Sequence, residues 1–502
     1  IGTTNWEAEK VYLDSIALMY DKLHETADAE ERAAIQRKIN ELSLASTEYA
    51  IPNEVDVVLT KMGGKGLNAG TSYDQTVYFN TFPSNQLSKW MDVYVERFRY
   101  PVFRLFQSEL ETVYEEKNMY GDQPTTAFTE YMFKESCGDH PYGRPIIGYT
   151  EHLKNPQPNK MREFYETYYV ANNMTLILVG DFDIDSTEPL VREKFAVWRK
   201  GDLPKMPEYH FPDFNGPTVK EVRMTPIKMG CLIFPGVKNN DPDCLPLTLA
   251  CMVFSNGQTG LMDKLMLNGD IMAAMLMPMS LEDAGSNIII YIPKLLFQSH
   301  KAAEKHVFNC LEQLKKGDFS DDLFEAVRMQ LLVENIKQTE SFSGLSGLFL
   351  ELESTKKSYA DYLANVERLK SITKEEVVAV ANKYFGNDYI DVRSKMGFPA
   401  KDKVEKPDWK PIEAKNTNEK SDFAKAVEAE IVPEVQPQVI QFGEDVKITE
   451  VNEHFKLYST ANTRNDIFNL CIAYNHGTLA DPDLDRAVSY FSLQGTGDMS
   501  FD

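Results

Sequence analysis

The chain has 502 residues, 43% hydrophobic and 26% charged, the proportions of a soluble globular protein of roughly two to four domains. Its 53 basic and 76 acidic residues leave a net charge of −23, which argues against nucleic acid or an anionic membrane as the main partner. No apolar run reaches transmembrane length. None of the 6 cysteines falls in a C-x-x-C pair, and the 8 histidines are scattered, with no complete H-E-x-x-H or H-x-x-E-H.

Residues 4–50 read as a helical hairpin. Thr4 and Asn5 can cap its first helix, and Asp28 with Glu31 resembles a capping box at the second. Residues 53–66 are a loop or short helix, and 67–79, rich in Thr, Tyr and Val, are strand-like. A helix with Leu87, Met91, Tyr94 and Phe98 on one side ends at Pro101. The next helix carries Glu109-Leu-Glu-Thr-Val-Tyr-Glu-Glu-Lys-Asn118, in which Glu109, Val113 and Glu116 share a face. Two carboxylates two turns apart can serve one centre, one as a metal ligand and one as its support. Taken alone, a Glu-rich helix is more often a solvated face. Helices over 126–137, 160–169 and 186–198 and a buried strand over 174–180 complete the first domain, 1–203.

The Pro-rich stretch 204–217 marks a boundary. A second α+β domain covers 218–397, with strands over 219–224, 230–234 and 287–292. Its helices lie over 245–254, 300–315, 321–337 and 375–384, and Thr373 with Glu376 forms a capping box. Residues 398–438, rich in Lys, Glu and Pro, read as an extended linker. A third unit, 439–502, opens with strands over 439–442, 455–458 and 467–474. The chain begins at Ile1 and stops at Asp502 within ordinary sequence, so truncation at both ends is expected.

Several segments together resemble the insulinase–pitrilysin family of zinc metallopeptidases with the inverted H-x-x-E-H motif. The strand containing Asn68 and Ala69 is similar to the family's substrate-pairing edge, and the Glu109–Glu116 helix to the one that supplies the third zinc ligand. His140-Pro-Tyr-Gly-Arg-Pro-Ile-Ile-Gly148 and the stretch from Phe164 to Phe182 resemble the segments that follow. The resemblance implies an α+β fold of repeated domains, each an antiparallel or mixed sheet with helices on one side. It implies Glu116 as the zinc ligand, Glu109 as the supporting acid, and Asn68 and Ala69 as the strand that pairs with substrate. Glu115 is the rival ligand, and Glu111 and Glu115 otherwise read as surface charges.

The H-x-x-E-H motif, with two histidine ligands and the general-base glutamate, is not in the chain and is expected upstream of Ile1. A catalytic zinc needs three protein ligands, so this chain alone is expected to bind Zn2+ weakly and to be inactive. The third unit is similar to the start of an inactive half, with Arg486, Ser489 and Tyr490 where metal ligands would stand. The implied activity is zinc-dependent peptide hydrolysis in an enclosed chamber. The chamber is closed by the second half of the same chain or by a homologous subunit, in the periplasm or at the cell surface. The competing reading is a non-catalytic scaffold or peptide-binding partner subunit. Against it stands the retention of two carboxylates, which are expected to be buried.

Overall fold

The first helix starts where it does because the Asn5 side chain accepts the Ala8 N–H at 3.2 Å, satisfying a donor the helix itself cannot. The structure, a computed structural model, describes residues 1–491 apart from 296, 400, 402, 408 and 437, with the backbone alone at 489–491. Helix α1 (Trp6–Glu25) and α2 (Ala29–Ser46), the latter capped by Asp28, close the expected hairpin over Ile16, Tyr20, Leu23, Ile35 and Ile39. Next come α3 (Glu54–Lys61) and an antiparallel hairpin, β1 (Lys65–Thr71) and β2 (Thr76–Thr81). Helices α4 (Leu87–Arg99), α5 (Phe106–Asp122), α6 (Thr126–Cys137), α7 (Thr150–Leu153), α8 (Pro158–Tyr168) and α9 (Ile184–Phe195) follow. Trp90, Met91, Val93 and Tyr94 of α4 pack with Val58 and Leu59 of α3 as their core.

One expectation fails here. Residues 174–180, apolar enough to read as a buried strand, form no strand, and Leu176 is exposed. A strand exists only as part of a ladder, and this run is assigned to none among the described residues.

The next stretch holds β3 (Thr218–Thr225), β4 (Met229–Pro235), α10 (Cys244–Phe254), α11 (Asp263–Leu267), β5 (Ala273–Ser280) and β6 (Gly285–Ile292). It continues with α12 (His300–Lys316), α13 (Asp321–Gln338), α14 (Phe342–Ser354), α15 (Tyr359–Ser371), α16 (Lys374–Tyr384) and β7 (Ile390–Met396). The strands form one sheet in the order β3-β7-β4-β6-β5, and β6 is antiparallel to both β4 and β5. The expected capping box of Thr373 and Glu376 starts α16. Leu232, Phe234, Ile289 and Tyr291 of the sheet pack with residues of α10, α12, α13 and α16 in a single core. The fold is α+β.

Gly230 on β4 shows how tightly that sheet is built. It pairs with Tyr291 of β6, whose ring folds across it: a Cβ at Gly230 would lie 2.2 Å from the Tyr291 Cζ. The ring is fully buried and cannot swing away. Gly230→Ala should therefore cost about 1–3 kcal/mol through overpacking, read as a lower urea midpoint. An unchanged midpoint would show that the ring can move.

The chain divides into two compact units. The first comprises Ile1–Asp213, Glu221–Ile227 and Ser394–Gln436; the second comprises Phe214–Lys220, Lys228–Arg393 and the described residues beyond 437. Most of the segment read as a linker thus belongs to the first unit. It runs as a strap over that unit's surface and ends in α17 (Asp422–Ala429), whose Ala424 and Val427 enter the α3–α4 core. The linker composition is real, but polar side chains of the unit hold its backbone in place. Beyond it, β8 (Lys447–Asn452) and β9 (Phe455–Ser459) make a hairpin, and α18 (Leu484–Phe491) follows.

The strands expected over 439–442 and 467–474 do not form: Phe442 makes one isolated bridge to Val446, and 467–474 joins no ladder among the described residues. Both runs are largely exposed, so neither has the neighbour that a ladder requires. Arg486 lies on α18; the side chains of Ser489 and Tyr490 lie outside the described residues.

Candidate functional site

Helix α5 is set by what precedes it. Arg104 pairs with the buried Glu9 through two hydrogen bonds, at 2.9 and 3.1 Å, and Leu105 takes a left-handed conformation (φ 53°) just before the helix. From there α5 buries Gln107, Leu110, Tyr114 and Lys117 against the unit. Glu109 and Glu116 fall on a solvent-exposed side. At 3.6 residues per turn, seven positions bring them back to nearly the same azimuth. The structure thus places the two carboxylates on one face, as the spacing requires, but leaves them open to water. The expectation that they are buried is incorrect: the buried stripe of α5 is Leu110 and Tyr114, a third of a turn away.

Glu115 is engaged elsewhere. Its carboxylate pairs with Lys406 at 2.7 Å, and Glu111 lies 4.0 Å from the same ammonium. The hydrogen bond to Glu115 raises the Lys406 pKa above its usual value. Burial, reinforced by Glu111, pushes the Tyr114 phenol up to about 12. Glu109 and Glu116 make no ion pair among the described residues, so the helix separates an engaged acidic side from a free one.

Lys406 belongs to the strap, which crosses α5 and makes several further contacts there. Asn118 exchanges two hydrogen bonds with the Val404 backbone, donating to its carbonyl at 3.0 Å and accepting from its N–H at 2.9 Å. Val404 is buried with Leu110 and Tyr114, and Trp409 stacks on Tyr114. Further on, Asn40 makes the same two-way exchange with the Lys410 backbone (2.9 and 3.1 Å), and Asn416 donates to the Thr47, Glu48 and Ala50 carbonyls. The buried Glu54 carboxylate accepts the Gly2 N–H with one oxygen and the Ser421 N–H with the other.

Asn68 and Ala69 lie on β1, whose only partner among the described residues is β2; they face Phe79 and Tyr78 across the ladder. Both are exposed. The Ala69 N–H donates to the Asn68 side-chain Oδ1 at 2.8 Å, so an incoming strand must displace that contact to use the donor. The hairpin is fixed at its tip by Tyr142, whose hydroxyl donates to Asp74 at 2.5 Å while its ring packs on Tyr73. Midway along the ladder the Tyr78 and Tyr169 hydroxyls meet at 2.8 Å, and Arg97 sits 4.9 Å from the centre of the Tyr78 ring. The His140 Nδ1 accepts the Tyr142 N–H at 3.2 Å, and its ring is caged by Tyr142, Tyr209 and Phe211. The segments around His140 and Phe164 thus serve as supports for the hairpin.

Sequence reasoning missed Asn118, Lys406 and Trp409. Asn118 and Val404 are 286 positions apart, and no local pattern links them. As a fit for Zn2+, Glu116 offers a hard, accessible oxygen donor with Glu109 behind it. The described residues hold no group of three or more His, Cys, Asp or Glu side chains placed to bind a metal. The pair fits as part of a zinc site and does not complete one.

Residues 37–150 match the family described as Insulinase (Peptidase family M16), and residues 157–331 match Peptidase M16 inactive domain. A relative, zinc protease PqqE of Helicobacter pylori, is 21% identical over 369 residues, covering 70% of this chain and 81% of its own. A crystal structure of a protease from Helicobacter pylori shares the fold with a TM-score of 0.62 at 21% identity, covering 68% of this chain and 84% of that one. The periplasmic protease PqqL of Escherichia coli shares it with a TM-score of 0.55 at 17% identity, covering 79% of this chain and 46% of that one.

Proposed function

The chain belongs to the insulinase (M16) family, and on that premise we propose that it contributes part of the active site of a zinc-dependent metalloendopeptidase. The observation that carries this reading is the open face of α5, where Glu109 and Glu116 align while Glu115 is held by Lys406. Zinc, when bound, polarises a peptide carbonyl and lowers the pKa of a water. Glu116 supplies one carboxylate ligand and Glu109 orients it through the surrounding shell. The histidine ligands and the base glutamate come from an H-x-x-E-H segment upstream of Ile1. The β1 edge at Asn68 and Ala69 receives an extended peptide by strand addition, and pairing through backbone makes recognition tolerant of sequence.

Peptides are then cleaved in a chamber closed by a second half or a homologous subunit, in the periplasm or at the cell surface. The word periplasmic in the name of the Escherichia coli relative supports that location. No described helix is long and apolar enough to cross a membrane.

The scaffold reading keeps one supporting observation. Exposed carboxylates cost almost nothing to retain, so Glu109 and Glu116 do not by themselves argue for a working site. The test is metal dependence in the protein that includes the upstream segment. Chelation should abolish hydrolysis of an unstructured peptide, and one equivalent of zinc should restore it. Hydrolysis that survives complete removal of zinc, or a zinc-loaded protein that never cleaves, would sink the peptidase reading.

A further inference from the structure

The strap does not touch α5 at random. Its contacts run along α5 from Leu110 and Glu111 to Asp122 and include Tyr114, Glu115 and Asn118, on either side of Glu116, and they approach from the side opposite the free face. Three kinds of contact converge there. The Val404 side chain is buried between Leu110 and Tyr114. The Asn118 amide reads the Val404 backbone with a donor and an acceptor at once, as a β-ladder partner would. Lys406 spans the engaged acids. A helix lying on a surface can roll about its axis, and a roll of one residue, about 100°, would exchange Glu116 for Glu115. Packing on one stripe resists that roll weakly. Directional bonds placed on both sides of Glu116 resist it strongly, because rolling breaks Asn118's pair of hydrogen bonds together.

The same strap is pinned further along by Asn40, Asn416 and Glu54, so the load on α5 is carried to α2 and α3. Asn416 spends its amide on main-chain carbonyls, Asn40 exchanges bonds with the Lys410 backbone in both directions, and Glu54 binds only N–H groups. Each clamp is therefore a side chain directed at backbone: Asn40 and Glu54 grip the strap, and Asn416 of the strap grips the unit. A passive tether between domains has no use for such clamps.

We propose that the strap is a positioning element for the metal-ligand helix, with Asn118 its principal contact: it fixes the rotation of α5 so that Glu116 and Glu109 face the metal. This inference rests on the reading of Glu116 as a ligand. Asn118 touches neither metal nor substrate, and acts through α5.

The test uses two variants and one reference. Asn118→Ala removes both bonds to Val404. Lys406→Glu reverses a surface charge, so it removes no buried group and leaves the fold in place. In the 502-residue chain, hydrogen exchange should show faster α5 amides in both variants, with α1 and α2 unchanged. In the protein with its upstream segment, zinc affinity by chelator competition should fall about tenfold for Asn118→Ala and about threefold for Lys406→Glu. The second value carries a sign that simple electrostatics cannot produce, since an added negative charge would by itself strengthen zinc binding. Zinc-saturated variants should keep their KM and lose kcat, whereas a change in β1 would move KM.

Glu116→Gln is the reference. If it loses zinc while both strap variants bind as tightly as the parent, the positioning role is wrong and the ligand reading stands. If Glu116→Gln binds zinc normally, the ligand reading fails and takes the positioning role with it.

Discussion

Glu304→Ala should destabilise the second unit by about 3–5 kcal/mol, the usual cost of removing one partner from a buried ion pair. Glu304 projects from α12 and is buried. Its carboxylate accepts from Arg393 Nε and Nη2 at 2.7 Å each, and from the Tyr291 hydroxyl at 2.6 Å. Arg393 also reaches Asp391 at 2.6 Å. The group therefore ties α12 to β6 and β7, across the strand in which Gly230 leaves room for the Tyr291 ring. Burial pushes the Tyr291 hydroxyl far above its ordinary pKa, and the neighbouring Glu304 adds to this, so it stays a proton donor at any working pH. After truncation, Arg393 Nε loses its acceptor, Arg393 Nη2 keeps only Asp391, and the buried Tyr291 hydroxyl is left with the longer contact to His300 Nδ1. Glu304→Gln keeps the shape and the Tyr291 contact, so its cost should be smaller.

The measurement can be confined to one unit. All 4 tryptophans, Trp6, Trp90, Trp198 and Trp409, belong to the first unit. In urea, Glu304→Ala should move the far-ultraviolet circular dichroism transition while leaving the tryptophan fluorescence midpoint unchanged. Coincident shifts of both signals would show that the units unfold as one, and no shift would show that the network contributes nothing net.

What could be read in advance follows from where the information lies. The helical hairpin, its caps at Asn5 and Asp28, and the box at Thr373 and Glu376 were legible because caps and the 3.6-residue period act within a few positions. The strands were less so. The runs at 174–180 and 467–474 have the composition of buried strands and do not pair, whereas β5, with Pro278 inside it, was not picked out and does pair. It lies at the edge of its sheet, where a missing N–H is tolerated. Helix α14 opens with Phe342-Ser-Gly-Leu-Ser-Gly347, weak helix formers stabilised by the Ser341 cap and by Leu348 and Leu352 packing on Tyr362.

The face shared by Glu109 and Glu116 could be derived from spacing. Its exposure could not, because that depends on which stripe of α5 the rest of the unit covers. The strap was invisible for a related reason: Asn118 and Asn40 recognise its backbone, which leaves no mark on the strap's own composition, and the lone Asn416 that grips the unit in return forms no local pattern.

Glu116→Gln should have the largest functional effect of any single change in this chain. Zinc in a catalytic site is held by three protein ligands and keeps one position for water. Replacing a carboxylate by an amide removes the anionic donor and its charge together while preserving side-chain volume. Loss of a supporting partner, the role proposed for Glu109, costs roughly 10–100-fold in metal affinity or activity, and loss of a ligand, the role proposed for Glu116, should exceed that range. Glu116→Gln is therefore expected to leave the folded protein without bound zinc at stoichiometric concentration and without detectable peptide hydrolysis, and Glu109→Gln to bind zinc with reduced affinity. Stability should not change, because Glu116 is exposed and makes no ion pair among the described residues.

Glu115→Gln supplies the contrast. It has the same chemistry one residue away, but the Glu115 side chain is 66% exposed and pairs with Lys406, a pair worth about 0–1 kcal/mol. Zinc content and kcat in that variant should stay within about twofold of the parent. Zinc content, measured by metal analysis on gel-filtered protein, decides between the two. Loss in Glu115→Gln with retention in Glu116→Gln would transfer the ligand role to the strap-facing side. The strap would then have to be displaced from Glu115 before metal could bind, and its clamps would oppose loading of the site.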